Sequence, residues 1–105
     1  MASFHDSYRQ GASQNVAYAA AGGASAASAA FGSQIYWIRV ASVGLPSATL
    51  DGVRIKVGDG TPVADANGTL LPLNWVEIIA VTPGQKIAVL GNNTGTGSVS
   101  VTELS

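Results

Sequence analysis

The chain has no cysteine, a single histidine at position 5 and few charged residues of either sign. The absence of cysteine excludes disulfide bonds, thiolate metal sites and cysteine nucleophiles. Five basic residues against six acidic residues give a net charge of −1, and so few basic side chains do not favour nucleic-acid binding. No hydrophobic run approaches the ~18 residues of a membrane-spanning helix, so we expect no membrane segment.

The sequence also contains few of the residues that catalysis requires. His5 is the only imidazole available to a Ser-His-Asp arrangement, and it lies in the first few residues, where order is usually poorest. The acidic residues from position 51 onward accompany turn residues or lie in apolar segments, which is typical of turns and solvated faces rather than of paired catalytic acids. We therefore expect no enzymatic activity, no metal site and no cofactor.

The first third of the chain differs in composition from the rest. Residues 1–34 contain nine alanines between Ala17 and Phe31, and Val16 is the only aliphatic residue larger than alanine after the initiating methionine. Alanine side chains bury little area, and Gly22-Gly23 interrupts the helix that alanine would favour. The sequence predicts an extended Ala/Ser/Gly-rich N-terminal arm over residues 1–34, which has no core of its own and becomes ordered on a partner.

Four aromatic residues are spaced along this arm, at Phe4, Tyr8, Tyr18 and Phe31. Aromatic side chains often dominate the binding energy of protein interfaces, so we expect these four to occupy pockets on a partner. The alternative is that the arm folds back and places its rings on its own domain.

Residues 35–105 have the pattern of β-strands. Apolar residues alternate with polar ones at 52–58 and 98–103, which predicts strands with one buried face. Residues 76–81 and 86–90 are more uniformly apolar, as in central or doubly covered strands. Thr82-Pro83-Gly84-Gln85 suits a type II turn between neighbouring antiparallel strands. The fold class is therefore all-β, with an antiparallel β-sandwich or jelly-roll body over residues 35–105.

A body of this size lies near the lower limit for a self-sufficient core, and only 10% of the residues are charged. Few Lys or Glu residues are available to protect strand edges, so we expect a homo-oligomer, most simply a trimer. Trp37 and Trp75 fit either the core or an interface, and stacking on a sugar ring is a further possibility.

Several stretches resemble small capsid decoration proteins, also called cement proteins, of tailed bacteriophages. The clearest is Val-Thr-Pro-Gly-Gln-Lys-Ile-Ala-Val-Leu at residues 81–90. The other matching stretches are residues 24–32, 38–40, 71–73 and 98–104. The resemblance implies a β-sandwich or jelly roll on the outer surface of the virion, often trimeric, that clamps neighbouring major capsid subunits. It implies no catalytic residues.

Together with the composition, the resemblance predicts that the arm lies along the capsid lattice with Phe4, Tyr8, Tyr18 and Phe31 in subunit junctions. Many weak contacts on a closed shell would then give strong attachment through multivalency. The alternative function is a head-fibre or carbohydrate-binding adhesion module, with Trp75 and residues 91–97 as its site.

Overall fold

A computed structural model describes residues 9–105, in which eight strands and no helix form two four-stranded antiparallel sheets. The all-β sandwich expected from the alternating pattern is confirmed. The strands are β1 (Gln10–Tyr18), β2 (Ala26–Ala27), β3 (Trp37–Ser42), β4 (Gly52–Gly58), β5 (Thr69–Pro72), β6 (Trp75–Ala80), β7 (Lys86–Gly91) and β8 (Gly97–Leu104).

The first sheet has the order β1-β8-β3-β6 and the second has the order β2-β7-β4-β5. Among the strands of residues 9–105, only β4 and β5 are consecutive in the chain and neighbours in one sheet. The Thr82–Gln85 turn has the expected chemistry, since Gly84 has a φ of 86° and the Gln85 N–H donates to the Thr82 carbonyl oxygen at 3.1 Å. This turn joins β6 to β7 in opposite sheets, so the expectation that it connects neighbouring strands is wrong.

The core lies between the two sheets, where alternate residues of the central strands meet. The fully buried side chains come from both sheets and are mostly β-branched, which suits the pleated surface of a strand. They include Ile38, Val40, Val53, Leu71, Ile87, Val89, Val99 and Val101. Full burial of one such side chain contributes about 1.5–3 kcal/mol.

Residues 10–34 are part of this sandwich rather than a separate arm, which corrects the expected division at residue 34. β1 pairs with β8 from Gln10 to Tyr18, and β2 pairs with β7. The chain therefore contributes one strand from this region to each sheet. Small side chains are sufficient here because the backbone ladder, and not side-chain bulk, joins both strands to the central strands.

Tyr18 and Phe31 lie in the hydrophobic core of their own chain, with exposures of only 4% and 3%. The expectation that both rings sit in partner pockets is therefore wrong. The backbone at Gly97 approaches the Tyr18 ring closely, since a Cβ atom there would lie 2.7 Å from the phenolic oxygen. The absence of a side chain at Gly97 thus makes room for the ring.

β6 is the strand whose environment differs most from its sequence pattern. Residues 76–81 are mostly apolar and predict a covered strand, yet β6 is the last strand of the first sheet and all its residues are exposed or half-buried. β7, with the same kind of pattern, is central and buried. Composition alone does not distinguish these two strands, because position in a sheet depends on strand order and not on local periodicity.

The outer face of the second sheet is partly covered by the chain itself. Ala64, from the β4–β5 connection, packs with Ala88 and Leu90 in a second apolar cluster. The Ala64 N–H donates to the Ser25 hydroxyl oxygen at 2.9 Å, which holds the connection against the sheet.

Candidate docking surface

One lateral side of the sandwich, formed by β1 and β2 and called here the closed side, is bridged by hydrogen bonds. The Ala29 N–H donates to the Gln14 Oε1 atom at 3.0 Å and so joins β1 to the segment after β2. The Ser28 N–H donates to the Ile87 carbonyl oxygen at 2.8 Å, and the Ile87 N–H donates to the Ser28 hydroxyl oxygen at 3.0 Å. Phe31 fills the core behind this segment.

The opposite lateral side, called here the open side, has a groove between β6 of the first sheet and β4 and β5 of the second. The groove has a volume of about 530 Å³. Apolar side chains form much of its lining, and polar side chains surround them. The apolar set is Ile55, Val57, Leu70, Leu71 and Ile79, and the polar set includes Lys56, Asp65, Asn67, Thr69 and Glu77. The sandwich is therefore incompletely filled on this side.

The two faces of β6 have different environments. Ile79 is opposite Ile38, and Glu77 is opposite Val40, so these two β6 residues share the inner face of the sheet and line the groove. Val76, Ile78 and Ala80 alternate with them and belong to the outer face. One strand therefore contributes to both an apolar groove and an exposed sheet face.

Six of the eight large hydrophobic side chains that are exposed among residues 9–105 lie along or beside β6. We call this set the apolar band. Its members are exposed by 41–87%, and Leu45 is the most exposed of them. They are Tyr36, Trp37, Val43, Leu45, Trp75 and Val76. Exposed large apolar side chains are therefore concentrated around β6, on both faces of the strand, which makes this region the candidate docking surface.

Hydrogen bonds between two connections hold one end of the apolar band in place. The Gly44 N–H donates to the Asn74 Oδ1 atom at 3.3 Å, and the Asn74 Nδ2 atom donates to the Gly44 carbonyl oxygen at 3.0 Å. Asn74 has a φ of 60°, a conformation that asparagine tolerates better than most residues. The connection that carries Val43 and Leu45 is thus fixed next to Trp75.

The other half of the same sheet has a different outer face. On β1 and β8 the outward positions are occupied by small or hydroxyl-bearing residues, namely Ser13, Asn15, Ala17, Ser98, Ser100 and Thr102. The Ser13 and Thr102 hydroxyl oxygens lie 3.0 Å apart and form a hydrogen bond across the strands. This half offers hydrogen-bonding groups to water and no large apolar side chain, so the apolar band is confined to the β3–β6 half.

Arg54 of β4 forms hydrogen bonds within its own chain. The Arg54 Nε atom donates to the Asn92 Oδ1 atom at 2.9 Å, and an Arg54 terminal nitrogen donates to the Gly68 carbonyl oxygen at 3.1 Å.

Burial raises the pKa of the Tyr18 phenol, and the negative charge of Asp51 raises it further. Tyr18 is therefore neutral at physiological pH and acts as a packing residue.

The six predicted interface residues separate into three groups. Phe4 and Tyr8 lie outside the described residues, Tyr18 and Phe31 are in the core, and Trp37 and Trp75 belong to the apolar band. Sequence reasoning missed Val43, Leu45 and Val76. Val43 and Leu45 alternate with Gly44 and Pro46 in a connection, and large apolar residues among such turn residues are a signal that could have identified them.

The two parts of the alternative glycan site, Trp75 and residues 91–97, both adjoin the β3–β4 connection. On the Trp75 side, Gly44 of this connection bonds to Asn74. The Gly95 N–H donates to the Thr49 carbonyl oxygen at 2.6 Å, and the Asn93 Nδ2 atom donates to the Ala48 carbonyl oxygen at 3.0 Å.

No protein-family model, curated protein or solved structure matches this chain. Within residues 9–105, no group of three or more histidine, aspartate or glutamate side chains could hold a metal ion. The same residues include no helix with the length and apolar character needed to cross a membrane.

Proposed function

We propose that this protein is a structural virion protein, a decoration or cement protein that binds the outer surface of a phage head. It stabilises contacts between major capsid subunits, and it docks through the open side. The observation that carries this proposal is the apolar band along β6, where Trp75 is 55% exposed and Leu45 is 87% exposed. Covering such a surface with a capsid subunit removes apolar area from water.

The strand order supports the proposal that the sandwich is, more specifically, a jelly roll. Eight strands lie in two sheets with the orders β1-β8-β3-β6 and β2-β7-β4-β5. In each sheet an early strand pairs with a late one, as expected when a long antiparallel ribbon wraps around a core. Jelly rolls occur in viral capsid proteins and in lectins. Because one fold serves many functions, this order supports the proposal only together with the surface.

The scarcity of charge supports a protein that works within an assembly. Charged residues make up 10% of the chain, so long-range electrostatic attraction contributes little, and short-range apolar contact must supply most of the binding energy. We propose a homotrimer, because copies arranged around a symmetry axis of the shell would attach together and gain strength through multivalency. In this proposal the N-terminal contribution to binding is limited to residues 1–8, with Phe4 and Tyr8 as its aromatic anchors.

The experiment uses heads assembled from the major capsid protein encoded in the same genome. Co-sedimentation compares the wild-type chain with a Trp75→Ser/Val76→Ser variant and with a matched Asn15→Ala/Ser100→Ala variant on the β1–β8 half. Loss of two central apolar anchors is expected to weaken binding about tenfold or more. The matched variant should bind like the wild type.

Unchanged binding of the Trp75→Ser/Val76→Ser variant would overturn the assignment of the open side. Absence of any binding by the wild-type chain would overturn the decoration function itself. A variant limited to deletion of residues 1–8 tests the N-terminal contribution, because it leaves every described strand intact. A longer deletion to residue 33 would remove β1, β2 and Phe31 from the fold.

A further inference from the structure

The backbone of β6 has unpaired hydrogen-bonding groups along its outer edge. The Val81 N–H donates to the Tyr36 carbonyl oxygen at 2.9 Å, and hydrogen-bonded residues alternate along an antiparallel pair. With the observed register, the N–H groups of Trp75, Glu77 and Ile79 therefore point to β3. Those of the alternate residues, Val76, Ile78 and Ala80, point away from the sheet, together with their carbonyl groups.

The three other sheet edges are less suited to accepting a strand. β2 has two residues, and β5 has four residues and ends at Pro72. β1 is long, but its register shifts between Gln10 and Ser13, and such an irregularity discourages pairing with another chain. β6 has six residues, and the register of residues 75–80 against β3 shows no shift.

The groove lies directly below this edge. A strand added to β6 would extend the first sheet, and its inward side chains would enter the space lined by Ile55, Leu71 and Ile79. The volume of about 530 Å³ falls within the roughly 300–1,000 Å³ of typical ligand sites. An added strand would therefore gain both backbone hydrogen bonds and apolar burial, as in other cases of strand addition.

The charged side chains of the groove determine which kind of strand could be added to β6. Glu77 occupies the middle of the inward face of β6, and the ionisable side chains that line the groove are Lys56, Asp65 and Glu77. Because two acidic groups face one basic group, a basic residue on the incoming strand is favoured opposite Glu77 and an acidic one is disfavoured.

The N-terminal segment of a second copy does not meet this requirement. Residues 1–8 contain no lysine or arginine and include Asp6. This segment is therefore a poor match for the edge of β6, and charge complementarity favours a strand from a different protein.

We propose that β6 and its groove accept an extended strand from a different protein, with apolar side chains flanking a basic residue opposite Glu77. This inference rests on the proposed function in one respect, because the strand would come from the major capsid protein. In this arrangement the incoming strand pairs with β6 and extends the first sheet, and docking is more than contact between two preformed surfaces.

The first measurement uses the capped peptide Thr-Ile-Thr-Lys-Thr-Ile-Thr as the probe and follows the amide signals of the full chain by NMR. Saturable binding should slow hydrogen exchange at the N–H groups of Val76, Ile78 and Ala80. The same peptide with Glu in place of Lys should bind about tenfold more weakly, since it places like charges opposite each other. Equal affinity for both peptides, or binding elsewhere, would overturn the proposal.

The second measurement uses the intact heads and a matched pair of variants. Ala80→Pro removes an edge donor that the β3–β6 ladder does not use, whereas Ala80→Ser keeps that donor. We expect head binding to fall about tenfold or more in Ala80→Pro and to be near the wild-type value in Ala80→Ser, because Ala80 is not part of the apolar band. Ile78→Pro and Ile78→Val form a second pair if Ala80→Pro does not fold.

The two proposals fail in different ways. If the wild-type chain binds heads and both Ala80 variants bind equally, strand addition is wrong while the decoration function stands. If the wild-type chain does not bind heads but binds the Lys peptide at β6, the decoration function is wrong while strand acceptance stands.

Discussion

The two lateral sides of the sandwich close the space between the sheets to different extents. On the closed side, Ala29 bonds to Gln14 of β1 and so joins the two sheets, while Ser28 bonds to Ile87 within the second sheet. On the open side, β5 and β6 leave a groove, and Trp75 is half exposed. Aromatic residues on the closed side, Tyr18 and Phe31, are therefore part of the core, whereas Trp75 on the open side is exposed and contributes less to folding.

The largest expected effect comes from removing an aromatic ring on each side. Phe31→Ala should lower the free energy of unfolding by about 3–5 kcal/mol, because it leaves a cavity in the core. Trp75→Ala, the matched change on the open side, should lower it by about 1 kcal/mol or less, since most of its ring faces solvent. Denaturant unfolding measures both values. If Trp75→Ala lowered the free energy of unfolding more than Phe31→Ala, the contrast between the open and closed sides would be wrong.

A smaller effect is expected from removing the charge on the inward face of β6. Glu77 is the only charged residue of this edge strand, and charged residues on an edge discourage pairing with other chains. Glu77→Val should therefore promote association beyond the wild-type species, as measured by sedimentation velocity over a range of concentrations. Ser100→Val, in central strand β8, adds a similar apolar side chain and should not change association. Equal association of both variants would show that general hydrophobicity is responsible.

The smallest effect concerns Tyr18 on the closed side. Its pKa is raised above the usual value of 10.0 by burial and then by Asp51, so the folded state holds the phenolic proton more tightly than the unfolded state. The stability from this group is fully present below pH 10 and is lost as pH rises through the higher folded-state pKa.

Tyr18→Phe should therefore reduce the loss of stability above pH 10, with a change of about 1 kcal/mol or less near pH 7. Unfolding midpoints recorded from pH 7 to pH 11 measure the difference between the two chains. An identical alkaline loss in both would contradict the assignment of Tyr18 to the closed core.

The sequence predicts the elements whose side chains alternate clearly. β4 and β8 follow from their period of two, and the Thr82–Gln85 turn follows from the order of Pro83 and Gly84. The sequence does not reveal β1, because seven of its nine residues are Ala, Gly, Ser, Gln or Asn, and these residues carry little of the apolar signal that marks a strand. The sheet to which each strand belongs is a property of long-range pairing, which no local pattern contains.

The candidate site was predicted only in part, for a related reason. Trp37 and Trp75 were identified as interface candidates, and both belong to the apolar band. The small neighbours of Tyr18 and Phe31 favour an interface role in the sequence, yet a large ring among small residues also suits a core in which two sheets approach closely. Glu77 gains its importance from the groove beneath it, and that groove exists only once β5 and β6 are placed.

The most direct test of the central claim is hydrogen exchange measured on the wild-type chain, free and bound to heads. If the open side is the docking surface, exchange at the amides of Val76, Ile78 and Ala80 should slow on binding, while the amides of β1 should exchange at the same rate in both states. Slower exchange confined to β1 and β8, with β6 unchanged, would contradict the account.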